Sequence, residues 1–144
     1  MRTVNRLTQT ESRPGTFLIR VLVGSVFLSE GIQKFLFSES VGAGRFTKIG
    51  LPYPETLASF VGTTEIIFGS LLLLGLMTRL CVVPLIIIIL TAISTTKFPI
   101  LIESGFWKMA HDSRTDFSML ICLIYLTMEG GGRYSIDHYL RKKW

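Results

Sequence analysis

Residues 26–37 read VFLSEGIQKFLF, an apolar helical run that nevertheless contains Glu30, Gln33 and Lys34. In water these three would form a solvated face. In lipid they would need partners. The solvent around this stretch decides the fold, and the rest of the chain identifies it.

The 144 residues are 49% hydrophobic and only 17% charged, with a mean hydropathy of +0.50. A soluble domain usually carries about 25% charged residues. The composition therefore points to one membrane domain over residues 1–144. The net charge of +5 does not imply nucleic acid, because the basic residues form no single stripe. Cys81 and Cys122 lie in apolar runs without metal-ligand or CxxC spacing, which reads as two ordinary thiols. The first apolar run lacks a small-residue cleavage site, so no removable signal peptide is expected.

A bilayer core needs roughly 20 apolar helical residues. Four runs approach that length, at about 16–37, 55–77, 79–96 and 115–129. The fourth is the weakest, since its uncharged part covers only Phe117 to Met128. Charge placement supports counting it. With four spans, one side gathers nine basic and three acidic residues, and the other six and seven. The positive-inside rule then puts both termini in the cytoplasm. The expected fold is all-α, a four-transmembrane-helix bundle in a prokaryotic inner membrane. The first outer connection carries Phe46 and Ile49 beside Arg45 and Lys48, which predicts a short interfacial helix. The second, 97–114, is read as a connection whose Phe98, Phe106 and Trp107 sit at headgroup level.

Depth gives the polar residues their meaning. Glu30 lies about 4–5 Å from the middle of span one and Lys34 about 10 Å. Glu65 is nearly central in span two. Arg20, Gly24, Phe27, Gly31, Lys34 and Glu30 fall on about a third of one helix circumference, and Ala58, Gly62, Glu65, Gly69 and Arg79 share an arc on the next. Gly24, Gly31, Gly62 and Gly69 would let these helices approach closely. Two readings stay open. One is a buried ion pair that fixes register, with Glu65 joined to Lys34 or Arg20. The other is a polar pocket bordered by Glu30, Gln33, Lys34, Glu65 and Asp116, with the donors, acceptors and protons that a quinone headgroup requires. Arg20 and Arg79 read as structural ion-pairing residues near the inner interface. No metal cluster, P-loop, dinucleotide fingerprint or nucleophile triad is present, and no histidine pair within the spans could hold a haem. No tightly bound cofactor is expected.

Three stretches carry a family likeness: RVLVGSVFLSEGIQKF at 20–35, RFTKIGLPYPETLASFVGTTEIIFGSLLLLGLMTRL at 45–80 and GGGRYSIDHYLRKKW at 130–144. Their specific parts are the Gly-Leu-Pro turn at 50–52, Glu65 midway along span two, Gly69 after it, the Thr78-Arg79 pair and the RYSID ending. This pattern resembles the DoxX family of small four-span membrane proteins, with Gly31, Lys34, Gly50, Pro52, Glu65, Gly69 and Arg79 on matching positions. Many members have an aromatic residue or histidine where this chain has Glu30, which adds a second carboxylate. The resemblance implies a membrane subunit linked to a quinone-dependent oxidoreductase, working with soluble or membrane redox partners. The sequence also admits a small-solute transporter or channel, and a scaffold or assembly factor without catalysis. The expected partners are the bilayer, redox proteins and further copies of the chain.

Overall fold

A computed structural model describes residues 13–143. Arg2, Arg6 and Glu11, which entered the charge count, lie outside them. The described chain is helical, with α1 at Thr16–Leu36, α2 at Ala43–Lys48 and α3 at Pro54–Leu74. Helix α4, Thr78–Ala92, continues through a π-helical turn at Ile93–Lys97 into α5, Phe98–Ser104. Then follow α6 at Phe106–Asp112, α7 at Arg114–Glu129 and α8 at Ile136–Lys143. Among the described residues there is no strand.

Three of these helical runs are long and apolar enough to cross a membrane: Thr16–Leu36, Pro54–Leu74 and Thr78–Ser104. Helix α7, at 16 residues, is not among them. It joins the bundle by packing: Met119, Leu123 and Leu126 are buried against Val82, Leu85 and Ile89 of α4 and Val23 and Phe27 of α1. The outward faces carry Leu18, Leu22, Phe60, Ile67, Val83, Ile87, Leu90, Phe117 and Ile121, all exposed. A soluble monomer rarely shows so wide an apolar surface. A bilayer solvates it.

The expected short helix of the connection between the first two spans is present at Ala43–Lys48. The second connection differs from expectation. Helical structure does not stop at Thr96 but runs 27 residues from Thr78 to Ser104, ending where Gly105 adopts φ 82°. Pro99 has no N–H to donate, and its ring crowds the carbonyl four residues back. The π turn directly before it opens the ladder at that point. Hydroxyls of Thr91, Ser94, Thr95 and Thr96 donate to carbonyls one turn back at 2.6–2.8 Å, satisfying polar side chains that would otherwise face lipid.

The C-terminal segment is likewise more than a basic tail. Helix α8 folds back on the turn between α3 and α4. The buried Asp137 carboxylate accepts the backbone N–H groups of Met77 at 2.8 Å and Thr78 at 3.0 Å, and the Asp137 N–H donates to the Gly75 carbonyl at 3.0 Å. Asp137 thus caps α4 from a distance of about sixty positions in the chain. It also holds Met77, which sits at φ 51°, a region costly for a residue with a Cβ. Gly75 shares that region at φ 67°, and a Cβ there would meet the Arg20 guanidinium and the Ser135 side chain at 2.5 Å. The buried Arg20 in turn donates to the carbonyls of Gly131 and Tyr134, and Arg79 donates to the Met128 carbonyl at 2.6 Å. One end of the bundle is therefore clasped by side chains from the first and last segments. Asp137→Ala should lower unfolding stability by about 1–3 kcal/mol, because the buried Thr78 N–H and the partly buried Met77 N–H lose their acceptor; equilibrium unfolding in bicelles measures it.

Candidate functional site

Helices α1 and α3 run antiparallel, and four glycines set their spacing. Gly24 faces Gly69, and Gly31 faces Gly62. A Cβ on Gly31 would come within 2.7 Å of the Gly62 carbonyl, and one on Gly69 within 2.8 Å of the Leu28 amide nitrogen. These are backbone obstacles that cannot rotate away. The glycines on each helix are seven residues apart, two full turns, so both crossings lie along one seam.

Lys34 and Glu65 meet across this seam. The Lys34 ammonium lies 2.7 Å from Glu65 Oε2. Both side chains are almost fully withdrawn from solvent, at 9% and 5% exposure. Helical side chains lean toward the N-terminus of their own helix. On antiparallel neighbours Lys34 and Glu65 therefore lean toward each other, over the gap that Gly31 and Gly62 leave. A larger residue at either glycine would separate the helices and pull the ions apart. Glu30 flanks the pair at 4.0 Å from Lys34, beyond hydrogen-bond reach. Its side chain is 46% exposed, so it forms the accessible edge of the cluster. Two carboxylates thus share one buried ammonium.

The other residues of the expected pocket lie elsewhere. Gln33 is on the outward face of α1, donating to Ser29 Oγ at 2.9 Å. It helps line a shallow groove with Ser25, Leu28, Ile32 and Leu73. Asp116, at the start of α7, pairs with Lys97 at 3.2 Å. Arg20 engages the C-terminal segment rather than Glu65. Asp112 pairs with Lys108 at 2.9 Å, and that hydrogen bond holds its carboxyl below the usual carboxylate range. Both cysteines are free thiols. Among the described residues no group of three or more His, Cys, Asp or Glu could hold a metal ion.

The reach of Asp137 to α4, the Lys97–Asp116 pair and the Gln33–Ser29 bond went unread at the sequence level. Only the last had a local signal, the i, i+4 spacing of polar side chains.

Removing one member of the buried pair strands the other. Glu65→Ala should destabilise the bundle by about 3–5 kcal/mol, and the double variant Lys34→Met/Glu65→Leu should recover most of that loss. A double-mutant cycle on thermal unfolding in detergent checks both. Gly31→Leu, by contrast, should fold poorly in either background.

Comparison with known proteins agrees with this architecture. The DoxX family model matches residues 15–97, which include α1, α3, α4 and both glycine crossings. The chain is 48% identical over 144 residues to "Uncharacterized membrane protein Rv3486" of Mycobacterium tuberculosis (strain ATCC 25618 / H37Rv), covering 96% of this chain and 88% of that protein. It is 30% identical over 128 residues to "Putative oxidoreductase CatD" of Bacillus subtilis (strain 168), covering 89% and 88%. No solved structure gives a significant match. With the matched segment covering the seam and its ion pair, the chain belongs to the DoxX family of membrane proteins.

Proposed function

We propose that the chain is a redox-associated membrane subunit whose Glu30–Lys34–Glu65 cluster receives the polar headgroup of a quinone-like or lipid-like ligand. The observation that carries this reading is the asymmetry of the cluster. Lys34 is committed to Glu65 at 2.7 Å but stands 4.0 Å from Glu30. An ammonium has three N–H donors. A carbonyl oxygen entering beside the half-exposed Glu30 could accept one of them without breaking the buried pair. Glu30 would face the bound headgroup, and Glu65 would keep Lys34 aimed.

This donor set fits a quinone carbonyl, which needs a hydrogen-bond donor in an apolar wall. When bound, a quinone supplies two-electron redox chemistry; the electrons would come from a separate redox protein. The chain's own part is to bind the headgroup, orient it and hold charge near it. The name of the Bacillus subtilis relative, "Putative oxidoreductase CatD", supports the redox side of this reading. Its orientation, with the Arg20, Arg79 and α8 end cytoplasmic, rests on the charge asymmetry.

In this reading a short-chain quinone analogue raises the melting temperature of the purified protein in detergent. Glu30→Gln keeps the fold and leaves the shift reduced, whereas Lys34→Gln abolishes it. Absence of a shift with every analogue in the wild-type chain would overturn the proposal. Flux of a small solute through proteoliposomes that depends on Glu65 would replace it with transport.

A further inference from the structure

At the clasped end of the bundle lies a groove of about 390 Å³, within the size range of small-molecule sites. It is separate from the Glu30–Lys34–Glu65 cluster. Leu74, the last residue of α3, forms part of its wall, with Tyr134 and Tyr139 beside it and Arg133, His138 and Lys142 around it. Among the described residues no acidic side chain lines it. The nearby Asp137 is buried and turned toward the start of α4, so it does not neutralise the cations.

The groove is held in shape from beneath. Arg20 bonds the Tyr134 carbonyl, the Ser135 hydroxyl donates to the Gly132 carbonyl at 2.7 Å, and the Asp137 N–H bonds Gly75. Its position decides what it would bind. Leu74 ends an apolar span and is 56% exposed, and Tyr134 and Tyr139 are 59% and 67% exposed. Exposed tyrosines at the end of a span mark the headgroup level of a bilayer. A cationic groove at that level meets phospholipid phosphates before it meets any soluble ligand.

We infer that the groove between the end of α3 and α8 binds the headgroup of an anionic phospholipid, with Arg133 and Lys142 contacting the phosphate and Leu74 and the tyrosines packing on the lipid's glycerol and upper chains. The binding would anchor α8 in the membrane plane and so secure the Asp137 cap.

The test uses the full chain in phosphatidylcholine nanodiscs, with spin-labelled phosphatidylglycerol or phosphatidylcholine as probe. The motionally restricted fraction should favour phosphatidylglycerol, and each cation removed in Arg133→Gln and Lys142→Gln should cut that preference roughly fivefold. Lys108→Gln, at the opposite end, should leave it unchanged. Circular dichroism verifies folding, and the exposed Lys142→Gln alone suffices if the double variant misfolds. Equal association of both lipids with the wild type overturns the inference. So does a preference undiminished in folded variants, or one equally reduced by Lys108→Gln. Displacement of the lipid by inorganic phosphate, beyond a chloride control of equal ionic strength, would assign the groove to a small anion instead.

Discussion

The close approach of α1 to α3 is the constraint on which the rest depends. Lipid tails are as apolar as leucine, so apolar faces gain little by meeting each other in a bilayer. What holds two membrane helices together is contact between backbones and pairing between polar groups. Here the same short stretch supplies both. Gly31 on Gly62 brings the backbones together, and Lys34 with Glu65 closes over that crossing. Neither works without the other. Without glycines the ions could not meet, and without the ion pair Glu65 would be a lone buried carboxylate.

A buried pair of this kind is weak proof of net stability, since desolvating both ions offsets much of their attraction. Its clearer effect is on register. Sliding α3 along α1 would bury a charge against apolar neighbours and press side chains into glycine backbones at once. The second glycine crossing, Gly24 on Gly69, strengthens the same register. Glu30 then acquires its place by default: one turn before Lys34, at the edge of the seam, with its carboxylate half exposed. A cluster with one saturated side and one open side is a different object from a closed salt bridge.

The other end of the molecule solves a separate problem. The turn from α3 to α4 is tight and includes Gly75 and Met77 at positive φ. The N–H groups that open α4 have no partner within their own helix. Asp137 supplies one from the far end of the chain, while Arg20 donates to the carbonyls of the loop that delivers it. The beginning, middle and end of the chain are thereby joined in one hydrogen-bonded layer. This layer also presents the cationic and aromatic side chains of α8 outward.

Much of this was legible in the sequence by itself. Apolar run length and low charge determined an all-helical membrane protein, and glycines sharing an arc with Lys34 on one span and with Glu65 on the next pointed to the α1/α3 seam. These properties follow from helical periodicity and the cost of charge in lipid, which are local. Other features were decided only by tertiary structure. Lys34, rather than Arg20, partners Glu65 because antiparallel packing leans those two side chains together, while Arg20 lies at the opposite end among carbonyls. Gln33 and Asp116 leave the cluster because Ser29 and Lys97 are nearer. Helix continues past Pro99 because a π turn forms upstream, and a basic tail becomes a folded helix because Asp137 finds unpaired N–H groups about sixty residues away. Apart from the Gln33–Ser29 bond, which has i, i+4 spacing, each of these outcomes depends on which groups become neighbours in space, and no spacing along the chain encodes that.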